Sequence, residues 1–436
     1  MTPGPDTGAR AQSTEGPLRR LDRILIDEAA AVEDTLSYHR NQVLCPVYTS
    51  VDVRRNRTKA AVVDANAFPA GFNNLAARSH LQASQAIRNY MQKTYGDVAS
   101  VLLLGESHTR NAWYFQNLKT LGGLFTDAGL HVTYGTMAEE LAPQADVETA
   151  LGDRITLHQV TRDGDALVAA GTAPDVVILN NDLSSGTPTL LDGIDQPVTP
   201  PPIMGWHRRS KSEHFRIVRD IAGQLGDDIG FDPWLITAEF DCVDDVDFKG
   251  RRNLDAVAAT IDDVLGRVQA KYDEYGVDAA PSVFVKADAG TYGMGIMTAT
   301  SGDGFLRLNS KAREKMDVGK ERQKTSRVIV QEGVPTEMRH GDFGAAEPVL
   351  YMVCGQVVGG FYRVHAGKGP EENLNSPGSR FVPFLTQATG APGPDEAVLD
   401  PVTSHVYQVL GEIASIATGY ELKFADTPGT ALPSYP

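Results

Sequence analysis

Val283-Phe284-Val285-Lys286-Ala287-Asp288-Ala289-Gly290-Thr291-Tyr292-Gly293-Met294-Gly295-Ile296 is the stretch on which the reading of this chain turns. Residues 282–288 are strand-like, 290–295 form a glycine-rich loop, and 296–300 are strand-like again. No Gly-Lys-Ser/Thr follows the glycines, so this is not a P-loop, and the order Gly-x-x-Gly-x-Gly is not the Rossmann fingerprint. Glycine permits close approach and unusual φ values, so such a flap can lay its backbone N–H groups over phosphate oxygens. Lys286, four residues before Gly290, adds a fixed positive charge on the leading strand. A plain hairpin with a loose turn is the competing reading of this segment taken alone.

Further along, Val328-Ile329-Val330-Gln331-Glu332-Gly333-Val334 reads as an apolar strand ending in a carboxylate. It suits a hinge where backbone groups and Glu332 meet an adenine and ribose; an ordinary exposed strand end is the alternative. Residues 347–353 and 356–365 read as a hairpin turning near Cys354-Gly355. It places Glu347 on one strand and Arg363 on the next, with Asn373-Leu374-Asn375-Ser376-Pro377-Gly378 in the loop beyond. Magnesium takes oxygen ligands, commonly one or two carboxylates plus substrate phosphates, so Glu347, Asn373 and Asn375 have a use beside a phosphate cradle. A guanidinium there can balance charge on a transferring phosphoryl group.

On the amino-terminal side, Pro197, Pro200, Pro201 and Pro202 interrupt helix and central strand alike and set an expected domain boundary. Just past it, Trp206-His207-Arg208-Arg209-Ser210-Lys211-Ser212-Glu213-His214-Phe215 concentrates positive charge, extended by Arg216 and Arg219. Either this is a solvated basic helix face or Lys211, at the helix head, holds phosphate. His207 and His214 could share a face, but no third ligand for a metal is in view.

Before the prolines, Leu75, Leu81, Ile87, Tyr90 and Met91 fall on one helical face, and Val101-Leu102-Leu103-Leu104 is a short apolar strand stopped by Gly105. Val176-Val177-Ile178-Leu179 repeats that shape and runs into Asn180-Asn181-Asp182-Leu183-Ser184-Ser185-Gly186. Two such strands with polar loops at their carboxyl ends predict a parallel α/β sheet with its ligand at those ends. Helices are expected over 254–272, over 305–316 and around Val402–Ile416. The division is then a flexible tail (1–20), an α/β domain (21–200) and a second domain (201–436) with a nucleotide cradle at about 282–384.

The 436 residues suit several packed units rather than one. Forty Lys plus Arg against 56 Asp plus Glu leave a net charge of −16, which disfavours nucleic acid and anionic membrane surfaces as partners. No apolar run of about 18 residues offers a membrane span. Cys45, Cys242 and Cys354 fit neither a disulfide framework nor zinc spacing, so a reduced, cytoplasmic compartment is expected. No His-Arg-Asp or Asp-Phe-Gly signature points to a kinase.

Taken together, the lysine after a linker, the strand lysine with its glycine flap, the Gln-Glu-Gly-Val strand end and the Glu…Arg…Asn-x-Asn-Ser-Pro series resemble an ATP-grasp ligase. The chain is more closely similar to the bacterial glutamate–cysteine ligase family of ATP-grasp type, through the strings at 180–186, 205–215, 285–297 and 359–365 and Glu372-Asn373-Leu374-Asn375. The resemblance implies an α/β fold with a pre-ATP-grasp-like amino-terminal domain followed by an ATP-grasp domain. It implies ATP-dependent joining of the L-glutamate γ-carboxylate to the L-cysteine amine, with ATP and Mg²⁺, as the first step of glutathione synthesis.

By the same resemblance Lys211 and Lys286 hold phosphates, while Gly290, Thr291, Tyr292, Gly293 and Gly295 cover them. Gln331 and Glu332 sit at the adenine hinge, Glu347, Asn373 and Asn375 face magnesium, and Arg363 stands at the acyl phosphate. The family pattern often has Glu-x-Asn where this chain has Asn373-x-Asn375, which leaves Glu372 as an alternative ligand. Asn180, Asn181, Asp182, Ser184, Ser185, Arg208 and Arg209 are the candidates for binding the amino-acid substrates. A ligase for another amino-acid pair and a nucleotide-binding module without turnover remain the alternative functions.

Overall fold

Residues 101–104 are apolar at every position because both faces of their strand are covered. Val101 and Leu103 pack with Ile87, Phe125 and Ile178, whereas Leu102 and Leu104 pack with Val177, Leu179 and Leu183. The computed structural model describes residues 15–107, 110–138, 143–289, 296–309, 316, 326–339, 344–385, 397–398 and 401–434. In it, Ser100–Gly105 is central to a six-stranded sheet ordered Val198–Thr199, Val176–Asn180, Ser100–Gly105, His131–Thr136, Arg154–Gln159, Gln144–Glu148. Every pairing in that sheet is parallel except the last. The α/β class expected from the sequence is the class observed.

A second six-stranded sheet has the order Ala397–Val398, Arg380–Leu385, Gln356–His365, Ala345–Val353, Tyr48–Arg55, Ala60–Asn66. Its expected hairpin turns where Cys354 (φ +54°) and Gly355 (φ +83°) both adopt left-handed backbone, the requirement of a two-residue type I′ loop. In Ala345–Val353, Ala346, Leu350 and Met352 enter one core and Val349, Tyr351 and Val353 another, so helices cover both faces, Pro401–Lys423 on the first and Ala77–Tyr95 on the second, where the core continues into the parallel sheet. A third, antiparallel sheet runs Phe240–Val243, Val328–Glu332, Val283–Ala287, Met297–Ala299.

The sheets do not follow the boundary expected at residue 200. Tyr48–Arg55 lies beside Ala345–Val353, with Tyr48 opposite Val353. Helices Pro17–Asp27 and Ala29–Arg40 belong with the carboxyl-terminal helix Pro401–Lys423, to which Arg40 is tied through Glu412 at 2.8 Å. Leu254–Tyr275 is helical as expected. Of the helix expected over 305–316, the described part is Gly302–Leu306 and Met316; Leu308 lies past the first helix's end, and 310–315 fall outside the described residues.

Candidate active site

Strict alternation in the large antiparallel sheet sets the chemistry on one face. Val51 and Val53 enter the apolar core, so the intervening Asp52 and Arg54 project from the opposite face, and Asp64 stands across from Asp52 in the neighbouring strand. That face meets the carboxyl ends of the parallel strands, where Glu106, Asn180 and Asp182 lie. Between them opens a cleft of about 690 Å³, lined also by Asp52, Asp64, Trp206, Arg363 and Asn375. Ligands of α/β sheets bind at such strand ends.

Lys211 and Lys286 meet beside Asp64. The Lys211 ammonium is 2.6 Å from Asp64 Oδ1 and 4.1 Å above the Trp206 ring; the Lys286 ammonium donates to the Val63 carbonyl at 2.9 Å. Asp288 is what joins the two motifs. Its carboxylate accepts from Ser210 Oγ at 2.5 Å, Ser212 N at 2.7 Å and Ser212 Oγ at 2.9 Å, and its carbonyl accepts from Lys211 N at 2.8 Å. The amino-terminus of helix Lys211–Ile229 is thereby pinned to the end of strand Val283–Ala287.

Burial pushes the Asp64 carboxyl up, but the charges of Lys211 and Lys286 outweigh it and hold it at about 2. Its side chain remains 45 % exposed, open to a ligand in the cleft. Burial lowers the Lys286 ammonium to about 8, with Asp64 opposing the shift and Lys211 adding to it. An unfolded chain would hold that proton up to about 10.4. Between these values the unfolded state binds more protons, so folding gains from Lys286 as pH rises, while the charge a phosphate needs is lost. The expected result is a kcat/KM for ATP that falls above about pH 8, with the limb moved upward in kcat because bound phosphate favours the ammonium. A profile flat to pH 10 contradicts this.

Across the cleft, Glu347 and Arg363 face each other in register. Arg363 Nη1 lies 2.6 Å from Glu347 Oε1 and 2.7 Å from Asp52 Oδ2. Burial alone would lower the guanidinium's affinity for its proton; Asp52 and Glu347 reverse that and raise it. Glu347 Oε2 meets Arg54 Nε at 2.7 Å. Asn375 lines the cleft, and its backbone N–H donates to Asn373 Oδ1 at 2.9 Å. Glu372 is exposed and pairs with Lys368 at 3.0 Å.

The donor set suits a hard cation: each Glu347 oxygen keeps a lone pair beyond its guanidinium contact, and Asn375 offers an amide oxygen. Among the described residues no three His, Cys, Asp or Glu side chains group to hold an ion by themselves. A cation here would share substrate phosphates, as magnesium does.

Other expected residues are placed differently. Glu332 is 1 % exposed, and its carboxylate takes Lys59 Nζ at 2.8 and 2.9 Å, Trp234 Nε1 at 3.2 Å and Glu239 N at 2.9 Å. It is committed to a buried ion pair and does not present itself to a ribose. Gln331, beside it, is buried with Nε2 lacking a hydrogen-bond partner among the described residues.

Arg209 is likewise internal, bound to Glu421 at 2.7 Å, to His214 at 3.2 Å and to the Ala65 carbonyl at 2.6 Å, so it anchors the last helix rather than meeting a substrate carboxylate. Arg208 is exposed, 3.7 Å from Asp426. Asn180 reaches the cleft, but its amide is spent on Asn117 and the Pro69 carbonyl. Asn181 and Asp182 accept from Leu183 N and Ser184 N in successive turns, with Ser184 Oγ on Asp182 at 2.7 Å, and Ser185 is exposed. Gly290, Thr291, Tyr292, Gly293 and Gly295 lie outside the described residues.

Asp52, Arg54, Lys59, Asp64 and Asp288 were not among the expected site residues. Ser50-Val51-Asp52-Val53-Arg54 carries the signal for two of them: apolar and charged residues alternate at period two, the mark of a strand with one charged face. No comparable local signal tells that Lys59 pairs with Glu332, 273 positions away.

Two lysines meeting at Asp64, beside an arginine held by Asp52 and Glu347, on a cleft that opens at the ends of α/β strands, suit an enzyme acting on anionic small molecules. The model of the family GshA, glutamate–cysteine ligase, matches residues 22–422, and the chain belongs to that family. Among solved structures it is similar to one described as a gamma-glutamylcysteine synthetase from Methylobacillus flagellatus, at 39% identity over 95% of this chain and 98% of that one, with a TM-score of 0.85. Similarity to the D-alanyl-alanine synthetase A of Vibrio cholerae is lower, at 15% identity over 74% and 81% of the two chains and a TM-score of 0.36. For a glutathione synthetase-like effector of Globodera pallida the values are 10%, 80%, 78% and 0.37. No curated protein matches the chain.

Proposed function

We propose that this enzyme uses ATP to join the γ-carboxylate of L-glutamate to the amine of L-cysteine through an acyl phosphate, the first step of glutathione synthesis. The observation that carries the reading is the convergence of Lys211 and Lys286 on Asp64 and of Arg363 on Asp52, the facing carboxylates of two paired strands that both line the cleft, in a chain of net charge −16. A carboxylate is a poor electrophile. Transfer of the γ-phosphoryl of ATP to it, with ADP leaving, makes a mixed anhydride; the amine then attacks the acyl carbon, loses a proton, and phosphate departs.

Lys211 and Lys286 bind phosphate oxygens, Lys211 exchanging Asp64 for the incoming anion. Arg363 stabilises charge on the acyl phosphate. Glu347 with Asn375 and Asn373 or Glu372 would hold magnesium, which when bound would neutralise charge on the phosphates. Trp206, Tyr114 and Phe361 in the cleft wall limit water, which would hydrolyse the anhydride. ATP and free cysteine as substrates place the reaction in the cytoplasm, and among the described residues no helix is long and apolar enough to cross a membrane.

Phosphate release from ATP, measured with the twenty amino acids singly and in pairs, tests the reading. Release requiring glutamate plus cysteine supports it. Release with another pair assigns a different ligase, and none with any pair assigns a nucleotide-binding role without turnover.

A further inference from the structure

Arg54 is 5 % exposed and belongs to a strand nearly three hundred residues before Glu347, yet its whole guanidinium is used on Glu347 and the turn leading into Asn373. Nε meets Glu347 Oε2 at 2.7 Å, Nη1 donates to the Pro370 carbonyl at 2.8 Å and Nη2 to the Glu372 carbonyl at 2.7 Å. Glu347 and the loop leading into Asn373 and Asn375 are thus held by the fork of a single side chain. The loop has further anchors, since Thr336 N donates to the Pro370 carbonyl at 2.9 Å and Leu374 is fully buried.

We propose that Arg54 is a positioning residue that presets the distance between Glu347 and the Asn373–Asn375 loop for a divalent cation, an inference that rests on the ligase reading above. A counter-ion for Glu347 would need only charge, and Arg363 already supplies one at 2.6 Å. Two backbone carbonyls accepting from the same planar group add geometry, which lysine, with one nitrogen, cannot reproduce. Residues that orient metal ligands from outside the coordination shell typically change metal affinity about 10–100-fold when replaced.

The test is calorimetric titration of Mg²⁺ into full-length wild type and Arg54→Lys, each saturated with a non-hydrolysable ATP analogue, alongside analogue binding without metal. The expected result is a Mg²⁺ dissociation constant raised about 10–100-fold in Arg54→Lys, with analogue affinity unchanged. Equal Mg²⁺ affinity in the folded variant overturns the proposal and leaves the ligase reading standing. Wild type that binds no Mg²⁺ with the analogue overturns both. Should Arg54→Lys fail to fold, hydrogen exchange on wild type decides: backbone amides of 371–376 slow before metal is added support a preset loop, and amides that slow only on adding Mg²⁺ overturn it.

Discussion

Replacing Lys286 with alanine is expected to lower the rate of ATP-dependent phosphate release by about 10²–10³-fold, the usual effect of removing one preorganised donor at developing negative charge. The fold should survive. Among the described residues Lys286 makes one hydrogen bond, to the Val63 carbonyl, and burial already disfavours its charged form, so deleting it removes an unfavourable burial together with a modest contact. Asp64 would keep Lys211 as its partner. Circular dichroism and a denaturation midpoint near wild type, with turnover lost, are the expected pair of results. Retained turnover in the folded variant means that the phosphate cradle lies elsewhere.

Arg363→Met is expected to be the most damaging change for stability as well as activity. Arg363 is 7 % exposed and neutralises Asp52 and Glu347 together. Without it Glu347 keeps only Arg54, and Asp52 loses the cation that touches it. Breaking a buried ionic pair by removing one partner costs roughly 3–5 kcal/mol, read as a lowered denaturant midpoint. Arg363→Lys separates the two roles: it restores one charge but cannot span both carboxylates, so the midpoint should recover in part while turnover stays more than about 10²-fold down. A lysine variant with wild-type turnover contradicts the role given to the guanidinium.

The contrast between Lys286 and Glu332 explains how far the sequence could be read. Short uninterrupted apolar runs revealed the parallel strands, and apolar stretches bounded by turn residues revealed the Glu347–Arg363 hairpin and the strand carrying Lys286, because burial in a sheet leaves a local signature. Glu332 ends a strand just as legible, but the side to which its carboxylate turns depends on Lys59, just before strand Ala60–Asn66, and on Trp234, in the short helix Pro233–Leu235, both brought in by tertiary packing. Arg209 was misplaced for the same reason: a basic run looks solvated until Glu421, 212 positions later, packs against it.

The pairing of Asp52 with Arg363 spans 311 positions, and that of Arg54 with Glu347 joins the same two strand pairs. Neither spacing nor composition reports such register. Resemblance to a family supplied Lys211, Lys286, Glu347 and Arg363 as companions; the structure adds Asp64 and Asp288, which bring the two lysines together.

Transfer of oxygen from the activated acid to phosphate tests the central claim most directly. With glutamate labelled by ¹⁸O in its γ-carboxylate, and with cysteine and ATP, an acyl phosphate delivers one labelled oxygen into each inorganic phosphate formed alongside the dipeptide, seen as an isotope shift in the ³¹P spectrum. Dipeptide accompanied by unlabelled phosphate would contradict activation of the acid by phosphoryl transfer.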